Sequence, residues 1–421
     1  MTRPALLSLD DALPQLLAHA RALTATQQVS TFEADGRVLA QDVTSALQVP
    51  PQDNSSMDGY AVRAADCTQA NALLRVTQRI PAGTHGTPLH AGEAARIFTG
   101  APIPPGADAV VMQEDCEALD GDQVKVTKVV PLGQWIRRSG EDVTRGATVL
   151  TRGTRLTPAE LGLAASIGLA QLHVSARPRV ALFSTGDELV MPGDVAPEAM
   201  PPGAIYNSNR FFLRTMLQRL GCEVTDLGIV PDKRDATIAA LRDAAQHHDL
   251  ILTSGGVSVG EEDHIKPAVE SLGELNLWQL AIKPGKPFAY GKVNRIGQGE
   301  VKVGATGDAC HFMGLPGNPV SSFVTFLLLV RPFILALQGV TQSAIARTEM
   351  TAHFDWPRAD KRREFLRVKR NAQGGLDLFS NQSSGVLTSA VWGDGVVDNP
   401  AGQTISKGDT VHFISFAEWL A

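Results

Sequence analysis

Arg179-Val-Ala-Leu-Phe-Ser-Thr-Gly186 and Asp249-Leu-Ile-Leu-Thr-Ser-Gly-Gly256 decide the fold. Each is a short unbroken apolar run that ends on glycine, as a strand covered on both faces and closed by a tight turn should read. Between them, Asn209 to Leu220 has helical periodicity and is stopped by Gly221. Cys222-Glu-Val-Thr-Asp-Leu-Gly-Ile-Val230 reads as a further strand, and Thr237 to Gln246 and Pro267 to Leu272 as helices. Alternating strand and helix signals predict βαβ units: a doubly wound, parallel α/β domain over residues 177–340.

Working outward, the text changes character on both sides. Residues 44–142 alternate short β-like runs with Gly, Pro and Asp turns, which predicts a β-rich second domain. The tail, 341–421, carries REFLRVKR, GLDLF and TISKGDTVHFISF and predicts a small β-barrel or sandwich. Residues 1–43 and 143–176 remain as a helical linker domain. Ser8 to Asp11 looks like a capping box opening a helix to about Leu23, which Pro14 should kink or shift. Thr157-Pro-Ala-Glu160 looks like another capped start. A chain of 421 residues has room for several such domains.

Bulk properties exclude some functions. A formal net charge of −6 argues against nucleic-acid coating. The four cysteines, Cys67, Cys116, Cys222 and Cys310, form no CxxC pair and read as reduced cytosolic thiols. The histidines lack metal spacing, and no secretory leader is apparent in MTRPALLSLDDALPQLL. The most apolar run, Ser321 to Leu337, contains Arg331 and Pro332 and is shorter than the roughly 20 residues that span a bilayer. A buried core helix is expected there, with no membrane contact and a cytoplasmic location.

In a parallel sheet, ligands bind beyond the carboxyl ends of the strands. Ser184-Thr-Gly-Asp-Glu188 lies there, although alone it reads as a plain helix N-terminus. Ser254-Gly-Gly-Val-Ser-Val-Gly260, followed by three acids, suits an anion cradle built from backbone N–H groups, but it lacks the lysine of a Walker loop. Ile282-Lys-Pro-Gly-Lys-Pro287 and Leu315-Pro-Gly-Asn-Pro319 are stiffened by proline. Lys283 and Lys286 could present two ammonium groups to an oxyanion, or could be ordinary solvated lysines. Outside this domain, Asp53-Asn-Ser-Ser-Met-Asp-Gly-Tyr60 and Arg137-Arg-Ser-Gly-Glu-Asp142 concentrate charged and hydroxyl groups, and equally read as surface turns. A basic cluster from Arg358 to Arg370 divides between two faces if it is a strand.

Seven segments, DNSSMDGYAVR, RIFTGAPIPPGADAVVMQE, IRRSGED, VALFSTGDEL, TSGGVSVGEEDHIK, AIKPGKPFAYG and GLPGNPVSS, together resemble the molybdopterin molybdenumtransferases, the MoeA and gephyrin E-domain family. They occur in the family's order across most of the chain. The resemblance implies a molybdopterin-binding type of α/β domain and an elongated homodimer whose cleft joins the α/β domain and tail of one subunit to the second domain of the other. It implies an enzyme that inserts molybdenum from molybdate into adenylylated molybdopterin, with Mg²⁺ and release of AMP. It further implies a molybdopterin adenylyltransferase as partner upstream and recipient molybdoenzymes downstream. Carried over residue by residue, it assigns Asp58, Asp142, Glu188, Lys283 and Lys286 to catalysis. Substrate binding falls to Thr99, Arg137, Ser258, Asp263, Pro287, Pro316, Pro319, Arg362 and Ser384, and Mg²⁺ to Asp58, Asp142, Glu188 and Asp232.

The chain departs from the pattern at Asn207, where bacterial relatives often have aspartate, at Gln279, where some have lysine, and in a local expansion before His311. Two other readings are a molybdopterin adenylyltransferase, whose single-domain members lack the second domain and tail present here, and a non-enzymatic pterin-binding scaffold.

Overall fold

The computed structural model describes residues 6–256, 264–295, 309–341 and 345–420. At its centre is a six-stranded sheet in the order Glu223–Val230, Arg179–Thr185, Leu250–Ser254, Ala309–Leu315, Pro287–Asn294, Gly273–Gln279. The first four strands are parallel, and the last two extend the sheet as an antiparallel pair. The two expected strands are buried because their alternate side chains enter two separate cores. Val180, Leu182, Leu250 and Leu252 face the helices Asn209–Arg219 and Pro319–Leu337. Ala181, Phe183 and Ile251 face Arg234–His247 and Ile265–Leu272. Helices on both faces leave no wet side to the parallel strands, hence the continuous apolar runs.

The apolar helix begins at Pro319, two residues earlier than the run read from the sequence, and bulges into a π-helical turn over Phe326–Val330. Pro332, just beyond, has no N–H to give to the turn before it. At 19 residues this helix is long and apolar enough to cross a bilayer, so the length argument does not decide its role. Its burial does: 83% of its most apolar window lies inside the molecule.

The first helix is shorter than expected, Leu9–Leu17 rather than reaching Leu23. Ser8 caps it by accepting from the Asp11 N–H, and Pro14 lies inside it. It ends early because the following chain is drawn to the long helix, where Leu23 N–H donates to Leu337 O at 2.8 Å. Leu9, Ala12 and Leu16 bury into the core of the α/β domain.

The linker is more than helical: Thr26–Ser30 pairs antiparallel with Gln171–Ser175 over a core that includes Leu39, Leu156 and Leu172. Residues 59–126 contribute a six-stranded sheet, Ala109–Met112, Gly59–Val62, Glu93–Ile97, Ala72–Ile80, Gln123–Val126, Cys116–Leu119. In the tail, Arg363–Arg370, Gly375–Leu378, Thr348–Ala352, Thr410–Ser415 and Gly395–Asn399 form a ring, closed by pairing of the first with the last. The short strand Ile282–Lys283 of the α/β domain adds to this barrel, parallel to Arg363 and Glu364. Burial pushes the Cys222 and Cys310 thiols up to about 12, so neither offers a thiolate for chemistry.

Between the central sheet and the long helix, His311 Nδ1 lies 3.1 Å from Tyr290 Oη and its ring packs edge-on against Phe333. Burial, aided by Lys292, lowers the His311 pKa from 6.5 to about 4. The unfolded chain therefore binds a proton that the folded one refuses, and stability should drop as pH falls from 6.5 towards 4, by at most about 3 kcal/mol from this group. Comparing thermal unfolding of wild type and His311→Gln from pH 7 to 4 checks this; the variant should show the shallower decline.

Candidate functional site

The strand ends enclose a cleft of about 820 Å³, lined among others by Glu188, Asn207, Asp232, Ser254, Pro287 and Pro316. Its walls are three turns pressed together. Gly255 has φ +91°, and a Cβ there would come within 2.8 Å of Thr185 O, so only glycine lets the second turn lie against the first. Gly255 N–H donates to Leu315 O at 3.0 Å. Asn209 Nδ2 donates both to Ser254 Oγ at 2.8 Å and to Gly317 O at 2.7 Å, tying the second turn to the third. Pro319 also lines the cleft, so Glu188, Asp232, Pro287, Pro316 and Pro319 of the expected set meet in one place. Ser258 and Asp263 lie outside the described residues, so the glycine-rich cradle is described only through Gly256.

At Asn207 the departure from aspartate leaves a side chain only 2% exposed. Its Oδ1 accepts from Arg210 N–H at 3.3 Å, in the first turn of the helix that follows. Gln279, the other departure, pairs with Pro287 at the end of the antiparallel pair, and its carbonyl accepts from Leu7 N–H at 2.8 Å.

The Lys-Pro-Gly-Lys-Pro turn sits beside this cleft. Gly285 has φ +109°, and a Cβ there would meet Thr325 Oγ1 at 2.4 Å, so the turn lies flush on the long helix. Lys283 Nζ reaches Glu364 Oε1 at 3.0 Å and Asp360 Oδ2 at 3.4 Å. Arg362 grips the same Asp360 with both arms, Nε to Oδ1 at 3.1 Å and Nη2 to Oδ2 at 3.0 Å. Hydrogen bonding from the Arg362 side chain holds the Asp360 carboxyl far below the usual carboxylate range. Glu364 is 1% exposed, and its second oxygen accepts from Trp356 Nε1 at 2.7 Å. Lys286 is exposed and forms no ion pair with another described residue. Lys283, Lys286, Arg362 and Ser384 are not among the residues lining the cleft, whereas Pro287, next to Lys286, and Gly385, next to Ser384, are. Ser384 is brought to the rigid third turn, its carbonyl accepting from Val320 N–H at 2.9 Å.

Sequence reasoning missed Asp360, Glu364, Trp356 and Asn209. The two acids that bracket three bases in Asp360-Lys-Arg-Arg-Glu364 were the available signal for the first two. The rest of the basic run disperses: Arg363 pairs with Asp398 and Asp10, and Arg367 is 1% exposed, its guanidinium spent on Ser389 Oγ and the carbonyls of Phe365 and Ser383.

A second constellation forms in the β-rich module. Asp58 Oδ1 accepts from both the N–H and the hydroxyl of Thr99, each at 2.8 Å, which holds its carboxyl below the usual range. Arg137 pairs with Asn54 across a short antiparallel ladder, Arg138 Nη1 reaches Asp53 Oδ2 at 2.6 Å, and Asp142 N–H donates to Val49 O at 2.9 Å. Asp58, Thr99, Arg137 and Asp142 thus belong to one loop cluster, and none of them lines the cleft.

No group of three or more His, Cys, Asp or Glu side chains able to hold a metal occurs among the described residues. Two carboxylates, Glu188 and Asp232, do line the cleft. Mg²⁺ is ordinarily held by one or two carboxylates plus substrate phosphates and waters. The donor set fits such an ion, and fits no metal that needs a cage built wholly by protein.

Three family models match in sequence: the MoeA N-terminal region (domain I and II) at residues 7–168, a probable molybdopterin binding domain at 181–336, and the MoeA C-terminal region (domain IV) at 349–416. A molybdopterin molybdenumtransferase of Haemophilus influenzae is 38% identical over 99% of this chain and 100% of its own. Another from Nostoc is 34% identical over 92% and 88%. Gephyrin of Dictyostelium discoideum is 33% identical over 74% of this chain and 47% of its own. The crystal structure of a molybdopterin biosynthesis moeA protein from Pyrococcus horikoshii superimposes with a TM-score of 0.81 at 28% identity, covering 98% of this chain and all of that one.

Asn209 is the tie between two walls of the cleft. Asn209→Ala should cost about 1–3 kcal/mol, the usual penalty for stranding buried hydrogen-bond partners. Thermal unfolding would read the loss, and hydrogen exchange at the Gly255 amide should quicken more than at the centre of the sheet.

Proposed function

The chain belongs to the molybdopterin molybdenumtransferase family, and from that premise we propose that it inserts molybdenum from molybdate into adenylylated molybdopterin with release of AMP. The observation that carries this reading is the junction of an acidic, glycine-turned cleft with a cationic turn sutured to the barrel. The substrates are a tetrahedral oxyanion and a pterin bearing a phosphate anhydride, so the site must pair several negative charges at short range. Lys283, Lys286 and Arg362, with the Ser384 hydroxyl, would hold molybdate by charge-assisted hydrogen bonds. Backbone N–H groups of the Ser254-Gly-Gly turn, continued by Ser258 and Asp263, would receive phosphate oxygens.

Glu188 and Asp232 would hold Mg²⁺ together with substrate oxygens, and bound there it would polarise the anhydride for cleavage. Pro287, Pro316 and Pro319 fix the walls between which the pterin sulfurs meet the oxyanion. No protein nucleophile is required, in keeping with thiols that burial keeps protonated.

Asp58, Thr99, Arg137 and Asp142 stand away from the cleft of their own chain, so we assign them to the cleft of a second copy. In that homodimer Asp58 and Asp142 of the partner subunit would complete the carboxylate set. An adenylyltransferase would supply the adenylylated pterin, and molybdoenzymes would take the product; a cytoplasmic site accords with all three steps.

Two outcomes are expected. Lys283→Ala should weaken molybdate binding at least about tenfold, the scale of a lost charge-assisted contact. It should also slow molybdate-dependent AMP release by a comparable factor; binding and turnover like wild type would misplace the pocket. Mixing Asp58→Ala with Lys283→Ala subunits should restore about a quarter of wild-type turnover per cleft if subunits exchange at random, because the heterodimer holds one intact cleft. Two inert homodimers that stay inert when mixed would refute the shared cleft.

A further inference from the structure

Two of the three cations assigned to molybdate already hold a carboxylate. Arg362 grips Asp360 bidentately at 3.1 and 3.0 Å, and Lys283 reaches the same group at 3.4 Å. Two oxygens shared between a guanidinium fork and an ammonium reproduce the contacts a small oxyanion would make. With Glu364 included, the charges of Lys283 and Arg362 are cancelled, and of the three assigned cations only Lys286 is left without an ion pair among the described residues to meet an arriving anion.

The two carboxylates are not equivalent. Glu364 is 1% exposed, sits on the strand Arg363–Arg370 and holds Trp356 Nε1 with its other oxygen. Removing it would strand buried donors. Asp360 lies in the irregular stretch before that strand and its side chain is 21% exposed. Its main-chain carbonyl accepts from Gly402 N–H at 2.7 Å, which pins the backbone, while its carboxylate is held by the Arg362 fork, by Lys283 and by the Arg362 main-chain N–H at 3.0 Å, contacts that rotation of the side chain into water would have to break.

We propose that Asp360 is a displaceable stand-in for the oxyanion: it occupies Lys283 and Arg362 in the resting protein, swings out when molybdate binds, and returns as the metal oxide leaves for the pterin. This rests on the reading of Lys283 and Arg362 as the molybdate pocket. The return offers the two cations a replacement partner, so the pocket releases its substrate instead of retaining it.

Displacement has a signature that simple repulsion lacks. An internal competitor lowers the affinity of every anion by one common factor, the fraction of pockets that stand open. A fixed carboxylate repels a dianion with twice the energy it exerts on a monoanion. Molybdate and perrhenate are tetrahedral oxides of similar size with charges of −2 and −1, and they separate the two cases.

The experiment measures binding of both ions by equilibrium dialysis to the full chain as wild type, Asp360→Asn, Asp360→Ser and Lys283→Ala, with thermal unfolding to confirm that each is folded. Both Asp360 variants should tighten molybdate and perrhenate by the same factor, about 5–10-fold, as expected for a partly exposed charged contact. A molybdate gain that is the square of the perrhenate gain overturns displacement. So do unchanged affinities in the Asp360 variants while Lys283→Ala still weakens molybdate; that pair of results leaves the pocket itself standing. Lys283→Ala binding molybdate like wild type removes the pocket, and displacement with it.

Discussion

Ile282 and Lys283 run for two residues alongside Arg363 and Glu364, and this short parallel pairing joins the α/β domain to the barrel. Much of the site depends on it. It sets Lys283 beside Glu364 and Asp360, and it aims the Lys-Pro-Gly-Lys-Pro turn along the cleft so that Pro287 enters the lining. Arg363 N–H donates to Ala281 O at 2.8 Å, and Ala281 N–H to Leu7 O at 2.7 Å, so the pairing continues into the segment that precedes the first helix. One strip of main chain thus connects three parts of the molecule at the point where the cations are needed.

The charges there are held at a cost the surroundings must offset. Glu364 is almost wholly buried, and a buried carboxylate persists only when paired and hydrogen-bonded. Lys283 and the Trp356 indole satisfy one oxygen each. Arg367 is buried with no carboxylate partner among the described residues, and desolvation pulls its pKa down to about 10. Its donors hold the Ser383 carbonyl, one residue from Ser384, and so fix the loop that meets the third turn of the cleft. The paired cations of this corner are therefore a few groups locked by the barrel, not the long basic run as a whole.

What could be read beforehand follows a physical division. Strands buried on both faces announce themselves as apolar runs, so Val180–Phe183 and Leu250–Leu252 were legible. The turns after them were legible too, because close packing such as that of Gly255 on Thr185 tolerates no side chain. The antiparallel strand Gly273–Gln279 was not, since it mixes exposed and half-buried residues and lies at the sheet edge. The end of the first helix escaped because a contact with Leu337, far along the chain, decides it. The pairing of Lys283 with Glu364 spans 81 residues and leaves no local pattern. For the same reason the positions of Asp58 and Arg137 relative to the cleft could be proposed only from resemblance, and one chain does not bring them there.

The account stands on an oxyanion seated between the Lys-Pro-Gly-Lys-Pro turn and the barrel. Crystals soaked in molybdate and measured at the molybdenum edge locate that ion directly. The anomalous peak should lie within hydrogen-bonding reach of Lys283 and Arg362, with the Asp360 carboxylate turned away. A peak elsewhere in the cleft with the Lys283–Asp360–Arg362 contacts intact, or no peak at saturating molybdate, would contradict it.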